Sequence, residues 1–414
     1  MPTLHIAIVG GGAAGLFAAI TAKHYYPDTD VCIFEKNNKL LAKVAITGGG
    51  RCNLTNSFAD IADLSNAYPR GHKLIKRLFN TFDYDDVYQW FEDHGVPLVT
   101  QEDNCVFPQS QDSQSIIDCL ISTARQLGVK FRLGCTITSI EQTPDGKLCI
   151  TSTCGQAGAT QKQHYDRVAV TTGGSPQMKG LEFLSPVVRQ LESPVASLFT
   201  LTINDRRLQS MMGTVVNPVT VSIPSTKFKA EGPLLITHWG VSGPAVLKLS
   251  SYAARFLHDA DYHSILAVNW INRTHHHEVE QEFYMFIASN ANKMAGNLHP
   301  FNLTSRLWTY ILEKCGCPAD RRMGELGKKM INKLIDTLTN DQYAIAGKGN
   351  FKDEFVTCGG VALGELNLNT LESKHCPHLF FAGEVTDVDG ITGGFNLQAA
   401  WTMGYVVGMN IGKA

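Results

Sequence analysis

The 414-residue chain lacks any apolar run near the ~18 residues that a spanning helix needs, which excludes a helical membrane anchor. It also lacks a basic leader. Apolar strand residues begin at Leu4 and run straight into glycines, with no Ala-x-Ala cleavage site, so no export signal is expected. There is little excess of either charge: 36 Lys+Arg against 38 Asp+Glu leave −2. That balance argues against a chain that coats nucleic acid, although it leaves room for a local basic patch. None of the 11 cysteines forms a Cys-x-x-Cys pair, which excludes a zinc ribbon and a reductase dithiol. Cys32, Cys119, Cys135 and Cys149 instead sit inside apolar patterns, where a reduced thiol acts as a small hydrophobe. A reducing cytoplasm is the expected compartment. Cys315-Gly-Cys317 has no partners at zinc-site spacing, and no metal is expected. No internal repeat or low-complexity tract is visible.

What the chain does have is glycine in clusters. Of 37 glycines, 15 fall within 10–15, 48–50, 173–174, 359–360 and 383–394. Glycine concentrates where backbone must approach a ligand or take positive φ.

The length suggests two or three domains. LHIAIV (4–9), a glycine turn, AAGLFAAITAKHYY and VCIFE (31–35) read as β-α-β, the unit of a parallel sheet. Helices are predicted from Tyr84 to His94 and from about Asp112 to Leu127, the latter closed by Gly128. Strands are predicted at 129–140, 147–153, 167–171 and 378–382, and a last helix from Leu397 to Met409. From about 195 to 250 the texture is β-rich with Pro and Gly punctuation, and from 278 to 338 it is helical. The expected organisation is a discontinuous dinucleotide domain (1–192 and 350–414), an inserted β domain (193–262 and 338–349) and a helical subdomain (263–337).

Gly10, Gly12 and Gly15 satisfy G-x-G-x-x-G between a strand and a helix. Gly10 makes the turn, Gly12 lets the backbone approach a pyrophosphate, and Gly15 lets helix pack on sheet. Ala13 and Ala14 open that helix, whose N–H groups and positive end suit phosphate. Glu35 ends the second strand 20 residues after Gly15, where its carboxylate suits the adenosine ribose hydroxyls, with Lys36 beside it. The remaining clusters favour FAD over NAD. Gly383 and Glu384 end a strand, and Gly394, Phe395, Asn396 and Leu397 open a helix. Such a helix N-terminus suits the N1–C2=O edge of an isoalloxazine. Glu384 is expected near the ribityl chain, and Thr172-Gly173-Gly174 at the exit from the FAD domain.

Five stretches carry a family resemblance: IVGGGAAGL (8–16), ITGGGRCNLTN (46–56), ITHWGVSGPAVLKLS (236–250), VTCGGVALGEL (356–366) and FAGEVTDVDGITGGFNLQAAWTMGYVVG (381–408). The chain resembles the BaiN/RdsA-type (YhiN-like) NAD(P)/FAD-dependent oxidoreductases over nearly its whole length. The resemblance implies an α/β fold: a glutathione-reductase-type FAD-binding Rossmann-like domain with an inserted β-rich, barrel-like domain and a helical subdomain. It also implies that Gly48, Gly49, Gly50, Arg51, Cys52 and Asn53 lie along FAD and that the backbone at Ile137 meets adenine. Phe395 stands where the family usually has Tyr, and Cys358 where it often has Ala.

No second G-x-G-x-x-G follows a strand, so NAD(P)H is expected as a transient donor at the flavin face. The resemblance implies reduction of an activated C=C bond, on a small unsaturated molecule or on a uridine of 23S ribosomal RNA. Amine oxidation and non-catalytic flavin binding in ribosome assembly are the alternatives. Candidate proton donors are His238, before the Gly240–Pro244 turn, and Cys52 beside Arg51. For RNA, Arg70, His72, Lys73, Lys76 and Arg77 are expected on one helix opposite Leu74, Leu78 and Phe82. Arg206-Arg207, Arg321-Arg322 and Lys328-Lys329 add basic pairs. His275-His276-His277 reads as an exposed loop before a helix.

Overall fold

Short strands with nearly every side chain apolar persist only where both faces are covered. A computed structural model describes residues 3–155, 158–349 and 356–413. In it β1 (His5–Val9) and β2 (Asp30–Glu35) pair in parallel and are joined by helix α1 (Ala13–Tyr25). They belong to a five-stranded sheet in the order Leu379–Phe381, Arg167–Val170, β1, β2, Lys130–Leu133, with every pairing parallel. Ile6, Ala7, Ile8, Val31 and Ile33 are wholly buried within it. The turns after β1 and after Arg167–Val170 leave the sheet at the same edge, from neighbouring strands. That is the crevice where open α/β sheets take their ligands.

The chain divides into two compact units, Met1–Ala196 with Val356–Ala414, and Ser197–Phe355. The first unit carries the parallel sheet. It also holds an antiparallel sheet of Cys135–Gln142, Leu148–Cys154 and Ala159–Tyr165, and a small sheet of Thr55–Asn56, Leu98–Thr100 and Cys105–Pro108. Helix Tyr84–Asp93 starts on a capping box between Asp83 and Asp86. Helix Ser113–Gln126 is capped by Asp112 and followed by Gly128 at φ 79°.

Three expectations about the first unit and its neighbour need correction. Cys135 is not reduced: it is joined to Cys154, which lies directly opposite on the next strand with the Cα atoms 4.1 Å apart. The other nine cysteines are buried. The basic helix is only His72–Leu78, and Arg70 lies outside it. His276 and His277 are not in a loop but form the first turn of helix His276–Ser289.

The second unit is built on a seven-stranded antiparallel sheet. Its order is Asp341–Ile345, Ser264–Asn269, Val215–Ser222, Lys229–Thr237, Gly240–Ser242, Leu201–Thr202, Gly347–Lys348. The stretch expected to be helical from 263 therefore opens with a strand, whose Leu266 and Val268 are wholly buried. The longer helices of the unit are Pro244–Tyr252, His276–Ser289, Ser305–Cys315 and Lys328–Thr339. Its core contains a paired charge. Asp341 receives Lys314 at 2.5 Å, Trp270 Nε1 at 3.0 Å and the Tyr343 hydroxyl. A buried carboxylate persists when it is paired and hydrogen-bonded in this way.

Candidate functional site

The phosphate end is shaped by backbone. Gly10 has φ 112°, and a Cβ there would stand 2.5 Å from the Thr171 carbonyl oxygen. A Cβ on Gly15 would stand 2.7 Å from Thr171 Oγ1, the hydroxyl that donates to Gly10 O at 2.9 Å. Only glycine fits where two strand ends and a helix meet this closely. No described atom lies within 4 Å of a Cβ built on Gly12, the N-cap of α1. No described side chain caps α1, and its first turn has no acid. Its first N–H groups and positive dipole end are therefore left to a ligand or to water.

Glu35 is held at the end of β2 and is buried. Its Oε2 accepts from Gly11 N at 2.8 Å, and its Oε1 accepts from Asn37 N and Asn37 Nδ2, both at 2.8 Å. A carboxylate has about four lone-pair sites, so one remains for a ribose hydroxyl. Lys36 beside it is exposed, and Ile137 is buried on strand Cys135–Gln142, at a register irregularity.

The middle of the cleft is the run Gly48, Gly49, Gly50, at φ 58°, 71° and 87°. Beyond its chain neighbours, a Cβ built on Gly49 would meet no described atom within 4 Å and one on Gly50 only Ala45 O at 4.0 Å, so this side of the loop is open. Arg51 is exposed. It lies 4.4 Å over the Phe107 ring, and its Nε donates to Gly48 O at 3.1 Å. Cys52 is 0% exposed, and burial pushes its thiol up to about 12. The Cys52 side chain is therefore closed to solvent and protonated, a setting that does not suit a proton donor. Asn53 donates to Thr55 O at 3.0 Å and accepts from Gly394 N at 3.3 Å, tying this loop to the last helix.

That helix, Phe395–Ile411, follows Gly393 and Gly394 at φ 128° and 90°. No described side chain caps it, and its first turn has no acid. Phe395 is buried between Phe58 and Tyr68, and the Tyr68 hydroxyl donates to Phe395 O at 2.9 Å. Asn396 turns back, exchanging two 2.8 Å hydrogen bonds with the backbone of Gly390, while Leu397 is half-buried. Gly383 brings the strand end to α1: a Cβ on it would sit 3.1 Å from Ala14 Cβ. Thr172 is exposed, and Gly173 and Gly174 pack at Glu384. Glu384 Oε1 accepts from Thr357 N at 2.9 Å, and Oε2 meets Lys43 at 3.3 Å.

Every residue expected on the cofactor, from Gly10 to Leu397, belongs to the first unit. His238 belongs to the second unit. It is exposed at the end of strand Lys229–Thr237, edge-on to Trp239 at 4.4 Å. The basic residues are divided between the two units: Lys73, Lys76 and Arg77 belong to the first, and Arg206, Arg207, Arg321, Arg322, Lys328 and Lys329 to the second. Arg70 faces inward, with its guanidinium forked on the buried Asp389. Among the described residues no three His, Cys, Asp or Glu side chains gather as a metal site, and no helix is long and apolar enough to cross a membrane. Sequence reasoning missed Thr171, Lys43, Tyr68 and the role of Arg70. Only Thr171 had a local signal, as a small polar residue ending a buried strand.

Two uncapped helix N-termini, the Glu35 carboxylate fixed beside the first of them and positions that a Cβ would fill suit an extended dinucleotide. The fold and this cradle define a protein of the FAD-binding Rossmann type. The chain belongs to the family described as "HI0933-like protein Rossmann domain", whose model matches residues 4–410. It is 26% identical over 415 residues to a 3-dehydro-bile acid delta(4,6)-reductase of Clostridium scindens, covering 97% of this chain and 98% of that protein. It is 28% identical over 414 residues to a ribosomal RNA dihydrouridine synthase of Haemophilus influenzae, covering 98% of each. Among solved structures, a 3-ketosteroid-delta4-(5alpha)-dehydrogenase from Rhodococcus jostii superposes with a TM-score of 0.52 at 15% identity, covering 99% of this chain and 97% of that one. At that identity the likeness is one of fold.

Proposed function

We propose that the protein is an FAD-dependent reductase that saturates a carbon–carbon double bond conjugated to a carbonyl, with NAD(P)H as a transient donor. The carrying observation is the end-to-end match to two differently named relatives. A delta(4,6)-reductase and a dihydrouridine synthase both add two hydrogens across such a bond. When bound, FAD supplies the hydride from N5. The chain supplies the rest. The N-terminus of α1 would hold the pyrophosphate, Glu35 the ribose, and the backbone of Gly48–Gly50 the middle of the cofactor. The N-terminus of Phe395–Ile411 would hold the N1–C2=O edge of the ring. His238 is the proposed proton donor, since an exposed imidazole can take a proton from solvent and deliver it to the substrate.

The test is anaerobic mixing of the FAD-loaded protein with NADPH or NADH. Bleaching of the oxidised-flavin band, followed by its return on adding a 3-oxo enone steroid, is expected. A band that neither donor bleaches removes the reductase reading.

The second reading takes a uridine of 23S ribosomal RNA as substrate. It is favoured by the exposed Lys73, Lys76 and Arg77 on one helix of the flavin unit. Dihydrouridine content of large-subunit RNA from cells with and without the gene decides it. An unchanged level leaves the small-molecule reading.

A further inference from the structure

Arg70 was expected among exposed cations, yet its side chain is only 14% exposed and that of Asp389, its partner, is fully covered. The pair sits on a seam between two segments far apart in sequence. One is 67–71. The other is 388–395, which leads directly into helix Phe395–Ile411. Along this seam Ile391 N donates to Ala67 O at 2.9 Å, and the Tyr68 hydroxyl donates to Phe395 O at 2.9 Å. Arg70 and Asp389 also form an antiparallel backbone bridge. Gly71 lies so close that a Cβ on it would stand 2.6 Å from Val388 Cγ2. Further back, Asp387 Oδ1 accepts from Gly359 N at 3.0 Å. The Arg70–Asp389 fork, with Nε on Oδ1 and Nη2 on Oδ2, is the charged lock on this seam. A bidentate guanidinium–carboxylate pair fixes direction as well as distance, which an ammonium cannot do.

We propose that Arg70 is a positioning residue: through Asp389 it fixes the 388–394 segment that delivers the N-terminus of the last helix to the flavin ring, and so helps set the reduction potential of the bound flavin. This rests on the FAD part of the proposed function and not on the identity of donor or substrate. The N-terminal N–H groups and dipole of a helix favour negative charge at the ring edge they face, and that preference falls off within the first turn. A loosened segment then binds reduced flavin less well relative to oxidised flavin.

The experiment uses the full-length, FAD-loaded protein and its R70K, R70M and D389N variants, titrated with dithionite against a reference dye. No NAD(P)H or substrate is present, so failure of the reductase reading leaves the outcome intact. A positioning lock predicts that R70M and D389N both lower the midpoint potential. The expected shift is about 30 mV, which is a tenfold weakening of reduced relative to oxidised flavin for two electrons. R70K keeps the charge but not the fork, and is expected to shift the same way by less. A purely coulombic role would move R70M and D389N in opposite directions and overturns the proposal. Variants that melt earlier with unmoved potentials overturn it too, as does loss of affinity for a ribosomal RNA fragment with the potential unchanged. If R70M does not fold, R70K and D389N carry the same decision. A wild-type protein that takes up no FAD overturns both this proposal and the proposed function.

Discussion

Gly404 of the last helix lies against α1 so closely that a Cβ on it would stand 2.6 Å from the Ala14 carbonyl oxygen. Gly408, one turn on, repeats this at Ala18, where the same distance is 2.6 Å. The helix proposed to meet the flavin ring and the helix proposed to meet the pyrophosphate are therefore in direct backbone contact. Gly404→Val forces them apart. Overpacking of this kind costs about 1–3 kcal/mol. Thermal melting followed by the fluorescence of released FAD is expected to show an earlier transition and weaker retention of FAD. Unchanged retention would separate the contact from cofactor binding.

Glu35→Ala removes the acceptor for Gly11 N and both Asn37 donors in a buried setting. The proposed hydrogen bond from the ribose to this carboxylate is lost as well, and a hydrogen bond to a charged group is worth about 1.5–3 kcal/mol, or about tenfold to a hundredfold in FAD affinity. Titration of apo-protein with FAD measures this. Glu35→Gln keeps an acceptor, and the smaller loss expected for it tests the ribose assignment.

Cys52 gives the pH prediction. Burial raises its thiol from 9.0 to about 12, so the folded state resists ionisation that the unfolded state accepts. Its contribution to stability is complete below pH about 9 and is lost as the pH rises towards about 12. Alkylation at pH about 8 followed by mass spectrometry is expected to label Cys52 only after denaturation, because both access and thiolate are missing in the fold. Rapid labelling of the native protein would contradict this burial.

His238→Gln is expected to slow substrate reduction by about a hundredfold, the scale of general acid catalysis, and to slow flavin reduction by NAD(P)H much less. Stopped-flow measurement of the two half-reactions separates them. Equal slowing of both removes His238 as the donor.

The β-α-β start, the glycine turns and the last helix were legible because each is a local pattern. Alternation, a 3.6-residue period or a glycine at a turn needs no knowledge of distant chain. Arg70 was misplaced for the opposite reason. Nothing near it in sequence tells a buried cation from a solvated one, and its partner lies 319 residues away. Cys135 looked like a packed thiol for the same reason. Its apolar setting was readable, but the register that sets Cys154 opposite it was not. Cys52 passed as a candidate acid because burial is a property of the packed loop and not of the GGGRCN string.

The amino-acid sequence by itself determined the backbone cradle: Gly10, Gly15, Gly48 and Gly394 stand where no side chain fits and Gly49 and Gly50 where φ is positive, and glycine records both requirements directly. Tertiary structure alone decided which side chains face the ligand and which are spent inside. Arg70 was drawn to Asp389 and Cys52 into the core, because the partners that settle an orientation come from remote parts of the chain.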